Sequence, residues 1–394
     1  MSFIYTTAVR VTCEQPFFIG NLFALTRAAS NINLTIFAKR YHMRDLKYLL
    51  AYCIPLSAMI ALYWQGAWAW STVILAFAVI PVVELLLPVS TSNLSPEEIS
   101  VQSGKRVFDW LLYLNAPLLF GISIWYIYIV STATPDIVEL TGLTFSTGII
   151  VGANGINVAH ELGHRSNRVE QLLSKIMLLP ALYQHFFIEH NRGHHKNVAT
   201  DKDPASARAG ENVYTFWLRS VAGSWRNAWK IEQERLEKEG KALWSAENEM
   251  LVYVAVQSLW LSAIGLIFGW KGLAGAVTIA VIGFLLLETI NYIEHYGLRR
   301  RLLTSGRPEP VSPVHSWNSD HQLGRIMLYE LTRHSDHHYK ATRKYQILRH
   351  MDESPQLPFG YPGSMLLAIV PPVWFAVMDP LVARTGQNAE IGPG

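Results

Sequence analysis

The sequence predicts an all-α integral membrane protein: six transmembrane helices with a cytoplasmic helical cap that carries a histidine-rich metal site. Three observations lead there. Half of the 394 residues are hydrophobic and 16% are charged, whereas soluble domains carry roughly 25% charged residues. Six apolar stretches approach the ~20 residues that a membrane crossing needs. Nine of the 14 histidines fall into four short clusters.

The expected spans are Tyr48–Trp64, Ala67–Leu87, Phe108–Ser131, Val138–Ala159, Leu251–Trp270 and Gly272–Ile293. Gln65-Gly66 and Lys271-Gly272 are the turn signals that make the first and last pairs into hairpins. Nearly all Lys and Arg lie before the first span, in 88–107, in 160–249 and after 296. With positive charge retained on the cytoplasmic side, six spans with both termini cytoplasmic satisfy this alternation. Trp64, Trp68, Trp70, Tyr126, Tyr128 and Trp270 then gather at the outer interface. Gln171–Ile188 is expected as a buried or interfacial helix, and Ser364–Val377, with Pro371-Pro372, as a membrane-surface segment. The organisation expected is an N-terminal extension over 1–46, a membrane domain over 47–381 and a tail over 382–394.

The net charge of +3 gives no reason to invoke nucleic acid. Two cysteines, Cys13 and Cys53, cannot build a disulfide framework, a zinc ribbon or an iron–sulfur site. A metal must therefore rest on nitrogen or oxygen. The clusters are His160-Glu-Leu-Gly-His164, Glu189-His190-Asn-Arg-Gly-His194-His195, Asn291-Tyr-Ile-Glu-His295 and His334-Ser-Asp-His337-His338. Spacings of three and four put side chains on one helix face, so each multi-histidine cluster is expected to aim its rings at one point. The expected topology brings all four clusters to one membrane face. Nine imidazoles exceed the three or four that zinc takes and suit two metals with open positions. Imidazole alone does not choose between iron, copper, zinc and nickel.

Other readings of the same residues remain open at this point. His160-Glu161-Leu-Gly-His164 also fits H-E-x-x-H, a metalloprotease helix with Glu as general base, although seven further clustered histidines would then have no role. A metal transporter would place its ligands near the bilayer midplane rather than at its edge. His42, His185, His315, His321 and His350 stand outside the clusters and are expected to be structural, with His315 and His321 close enough to the fourth cluster to support it.

Taken together, the clusters resemble those of the membrane fatty-acid desaturase and hydroxylase superfamily. More narrowly, HELGH, EHNRGHH, NYIEHYG and LTRHSDHH look like the motifs of bacterial membrane-bound alkane 1-monooxygenases, over about Leu46 to Leu381. Asp203-Pro-Ala-Ser and His315-Ser-Trp-Asn318 extend the likeness. The resemblance implies a non-heme diiron site held by His160, His164, His190, His194, His195, His295, His334, His337 and His338. That site would use O2 to hydroxylate the terminal carbon of medium- or long-chain n-alkanes in the bacterial inner membrane. It also implies electrons from a separate rubredoxin, reduced by an NADH-dependent rubredoxin reductase. An acidic partner would meet Arg192, Lys196, Arg299, Arg300 and Arg301. Methyl-group hydroxylation of alkyl-aromatics, and fatty-acyl desaturation or hydroxylation, are the neighbouring activities within the superfamily.

Further residues are expected around such a site. Glu288, Asn291 and His295 fall at i, i+3 and i+7 on one helix face, and a ligating imidazole usually donates its other N–H to a carboxylate or carbonyl. Glu288 and Asn291, then Asp336, Asp203 and Glu161, are thus expected to hold ligating rings. Tyr63 and Trp64 are expected to line the outer part of a substrate channel.

Overall fold

The structure, a computed structural model, describes residues 43–386. The chain divides into Met1–Lys47 and Tyr48–Gly394. The expected extension (1–46) and tail (382–394) lie largely outside the described residues, as does His42.

Among the described residues the fold is all-helical, with isolated β-bridges and no strand. The membrane-crossing helices are Asp45–Trp64, Gly66–Leu86, Val107–Thr132, Ile137–Gly163 and Glu249–His295. The last has 47 residues, ~70 Å at 1.5 Å per residue, more than twice the ~30 Å hydrocarbon thickness. It is broken at Gly269, with φ 69° and ψ −171°, so it makes the fifth and sixth crossings. The expected turn at Lys271-Gly272 is corrected by this: the chain reverses at Gly269, where a glycine tolerates the left-handed φ. The hairpin between the first two spans does turn at Gln65-Gly66, both at positive φ, and the Glu139 carboxylate accepts the Gly66 N–H at 2.7 Å.

Polar caps set several helix starts. Asp136 accepts the N–H groups of Val138 and Glu139, and Asn248 those of Met250 and Leu251. The fourth and sixth spans approach closely because a Cβ on Gly283 would meet Val151 Cγ1 at 2.5 Å. This contact brings together the two helices that end in His160 and His295.

Two segments lie outside the spans. Gln171–Ile188 is not one helix: Arg168–Met177 is helical, the chain turns through Pro180, and only Phe186–Ile188 resumes. Ser364–Val377 belongs to two helices, Tyr361–Ala368 and Pro371–Arg384, bent by 119° at the break before the proline pair. A long helix, Val213–Lys238, lies against the second histidine cluster and the last span.

Candidate metal centre

All nine clustered histidines meet at one end of the helical bundle. They sort into His160, His164, His190, His195 and His337, and into His194, His295, His334 and His338, with one ring nitrogen of each within 4.8 Å of the others in its group. The converging atom is Nε2 throughout. In the first group Nε2 to Nε2 distances are 3.0 Å for His160–His337 and His164–His190, 3.1 Å for His190–His195 and 3.2 Å for His195–His337. In the second they are 3.2 Å for His194–His338 and His295–His334, and 2.9 Å for His334–His338. Two nitrogens ~2.1 Å from one metal and at right angles to each other are about 3.0 Å apart. The spacing is that of ligands around a cation.

The grouping corrects the expectation that each cluster serves one point. The second cluster sends His190 and His195 to the five-ring group and His194 to the four-ring group. Its local backbone explains the split. Glu189–His194 forms a π turn, in which residues five apart, not four, stack on one side. The fourth cluster divides in the same way, with His337 going to one group and His334 and His338 to the other. A second π turn, Val151–Ile156, precedes His160 on the fourth span.

Burial keeps the rings available as ligands. It holds His190, His195, His334, His337 and His338 well below the usual histidine pKa, and His164 down to about 3, with neighbouring rings adding to the effect. They are neutral at pH 7, the state that binds a metal. His194 is different. Burial pulls it down, but the Asp203 carboxylate, with Glu189 and Glu294, outweighs this and lifts it to about 8. Burial likewise opposes charge on Asp203, and the His194 ring and Ser206 hydroxyl hold it below the usual carboxylate range. His194 Nδ1 donates to Asp203 Oδ2 at 2.9 Å, and His295 Nδ1 to the His315 carbonyl at 3.4 Å. Both bonds turn Nε2 inward, where it offers a lone pair to a metal once the ring is neutral, and a cation bound there would displace the proton that Asp203 helps His194 to hold.

Of the expected supporting carboxylates, Asp203 alone reaches a clustered ring. Glu288 accepts from Tyr183 at 2.8 Å, Ser220 at 2.5 Å and Asn291 at 3.3 Å, so Glu288 and Asn291 bind each other and the Val213–Lys238 helix. Asp336 is taken by Arg343 and Arg349. Glu161 accepts from Arg165 at 2.7 Å and from the Tyr345 N–H at 3.2 Å. A carboxylate engaged in that way is not free as the general base of a metalloprotease. Helical periodicity placed these groups correctly along their helices, but their partners come from other elements and were not visible in the sequence. Glu294, not singled out from the sequence, has Oε2 3.2 Å from His334 Nε2, while Tyr361 donates to its Oε1 at 2.7 Å. Its place beside His295 in the third cluster was the available signal.

Comparison with known proteins bears on what this arrangement is. Residues 138–364, which hold all nine histidines, match the fatty acid desaturase family. The chain is 40% identical over 340 residues to alkane 1-monooxygenase 2 of Pseudomonas aeruginosa, covering 84% of this chain and 88% of that protein. It is 41% identical over 301 residues to alkane 1-monooxygenase of Acinetobacter baylyi, covering 76% and 74%. The chain belongs to the alkane 1-monooxygenase family. A more distant relative, the xylene/toluene monooxygenase hydroxylase component of Pseudomonas putida, is 29% identical over 359 residues, covering 89% of this chain and 92% of that protein.

In this member of the family an apolar cavity runs from the histidines between the spans. His160 and His190 of one group and His334 of the other stand in its wall, and Phe77, Ile149, Ala153 and Leu287 are among its apolar residues. Asn157, Asn291, Glu294 and Tyr361 are the remaining polar side chains lining it. The expected channel residues are elsewhere. Tyr63 is 70% and Trp64 57% exposed, in edge-on and tilted ring contact with each other and with Trp68 at the end of the first span, outside the cavity wall. Their sequence position was compatible with either role, and their side chains stand outside this cavity.

The basic residues divide as well. Lys196, Arg299 and Arg300 line one groove of about 790 Å³ together with Lys202, Arg208 and Arg307, with Asp201 as its acidic residue. Arg192 instead pairs with Glu232 and Glu249, and Arg301 is exposed beside the groove without lining it.

Proposed function

We propose that the protein hydroxylates the terminal carbon of medium- or long-chain n-alkanes to 1-alkanols, using O2 as co-substrate at two non-heme irons. His160, His164, His190, His195 and His337 would hold one, and His194, His295, His334 and His338 the other. What carries the reading is the apolar cavity that ends on rings from both groups. Iron held by these rings would supply O2 activation. The chain's own residues supply position and environment. Asp203 fixes the His194 ring through its Nδ1–H, and the apolar wall keeps water from the reacting end. A chain that enters a narrow apolar channel presents its end carbon, so position along the chain selects the carbon attacked.

Overall, RH, O2, two electrons and two protons become ROH and water. The electrons would come from rubredoxin and its NADH-dependent reductase. The basic groove begins at Lys196, next to the ligating His195, and an acidic carrier docked there would stop short of the metals by a few residues. Attraction of this kind raises association rates and weakens with salt. The histidine end is assigned to the cytoplasm of the bacterial inner membrane on the distribution of Lys and Arg.

The test is turnover of octane by the iron-loaded protein with rubredoxin, reductase, NADH and O2. Formation of 1-octanol supports the reading. Turnover of a xylene to its benzyl alcohol, with octane left untouched, would replace it with the second reading, methyl-group hydroxylation of alkyl-aromatics, which the likeness to the xylene/toluene enzyme favours.

A further inference from the structure

Glu84 is a carboxylate near the end of the second span that the histidine site does not use, and it is 3% exposed. Its Oε1 accepts the Gly324 N–H at 2.7 Å. Its Oε2 is buried and has no hydrogen-bond partner among the described residues. The group is tightly enclosed: a Cβ on Gly360 would overlap Oε2, and one on Gly324 would come within 2.5 Å of Oε1. Two cavities lie around it. Ile80, one turn earlier, Gly324, and Tyr361, next to Gly360, line the cavity that reaches the histidines. Glu84 itself lines a second cavity of about 330 Å³, whose other walls include His321, Phe359, Leu366, Val370 and Val373. That is within the ~300–1,000 Å³ of small-molecule sites. Leu85, Leu366, Val370 and Val373 are exposed on the outer surface of the bundle, so this second cavity has an apolar rim.

We propose that this second cavity is a binding site for a primary alkyl alcohol, with the hydroxyl on Glu84 Oε2 and the alkyl chain along Leu366, Val370 and Val373. The inference rests on the alkane-hydroxylating reading above. A buried carboxyl oxygen without a partner is costly, and a hydroxyl satisfies it in either protonation state because it both donates and accepts. An alkane offers nothing to that oxygen. The reaction adds the one group that distinguishes product from substrate, and Glu84, whose Oε2 is one of two buried carboxyl oxygens without a hydrogen-bond partner among the described residues (Asp320 Oδ1 is the other), lines the second cavity while its neighbours Ile80 and Gly324 line the first. Glu84 would therefore favour product over substrate at a site beside the reaction cavity, from which the alcohol leaves towards the lipid.

The experiment uses a 1-alkanol bearing a diazirine, added to iron-loaded enzyme in phosphatidylcholine nanodiscs, with adducts mapped by mass spectrometry. Adducts are expected on the peptides around Pro81–Leu85 and Phe359–Val373, displaced by 1-octanol about tenfold more effectively than by octane. Glu84→Leu should reduce those adducts about tenfold and leave the iron content unchanged. Leu366→Trp, which narrows the cavity from the opposite wall and keeps the Glu84–Gly324 contact, should have the same effect if Glu84→Leu does not fold. Equal displacement by octane would overturn the proposal in favour of an entrance for substrate. Adducts displaced by added phospholipid but not by 1-octanol would overturn it in favour of a lipid slot. Labelling uses added alcohol and needs no turnover. Absence of 1-octanol formation would thus count against the proposed reaction, while labelling elsewhere in an enzyme that does form 1-octanol would count against this site.

Discussion

Asp203 and Glu288 are both buried acids near the histidines, yet their surroundings assign them different work. Asp203 accepts the Nδ1–H of His194, so Asp203→Ala should weaken metal binding at the four-ring group ~10–100-fold, as removal of such a partner usually does. Competition with a chelator measures this, and unchanged retention would refute the role. Glu288 instead ties Tyr183 and Ser220 to the last span. Glu288→Ala should leave metal content intact and lower stability by ~1–3 kcal/mol, because two buried hydroxyls lose their acceptor. Thermal unfolding together with metal analysis separates these outcomes, and loss of metal without loss of stability would reverse the assignment. In the sequence both residues were acids at suggestive spacings. What distinguishes them is a partner from another element: His194 for the one, Ser220 on the Val213–Lys238 helix for the other.

At the scale of elements, the π turn at Glu189–His194 decides how nine histidines become two groups. An α turn would place His190 and His194 together. The π turn pairs His190 with His195 and directs His194 elsewhere. Gly193 sits inside this turn, where a Cβ would meet Glu189 Oε1 at 2.7 Å and Asn227 Nδ2 at 2.8 Å. Gly193→Ala should therefore cost about 1–3 kcal/mol through overpacking. It should also release metal from the five-ring group before the four-ring group, as followed by metal analysis during stepwise chelation. Simultaneous release from both groups would show that the turn does not govern the split. The spans themselves were legible, because ~20 apolar residues in a row admit few alternatives. The turn was expected at Lys271-Gly272 and lies at Gly269, since Gly269 and Gly272 are both glycines and sequence alone does not say which adopts the left-handed φ. The π turns were not legible: no residue pattern distinguished Glu189–His194 from an ordinary helical turn.

Across the whole molecule, the histidines of four distant segments meet at the apolar cavity, and the basic groove starts at Lys196, the neighbour of His195. The set of nine rings was legible from spacing and from the family resemblance. The cavity was not, because its wall is assembled from residues on the first, second, fourth and sixth spans and on Tyr361–Ala368. Ile149 stands eleven residues before His160, so the cavity extends ~16 Å along the fourth span. Ala153→Trp should close its far part and shift activity to shorter alkanes, whereas Tyr63→Ala should leave the preference unchanged. Product analysis over a series of chain lengths gives the answer, and the opposite pattern would return Tyr63 to the channel.

If the two histidine groups hold two irons for one oxidation, the metal and the reaction must go together. Metal analysis of the protein that turns over octane tests it most directly. Two irons per chain are expected, one for each group, with iron and 1-octanol formation lost together when His295, of the four-ring group, is replaced by Ala. A single zinc per chain in protein that forms no alcohol would contradict it.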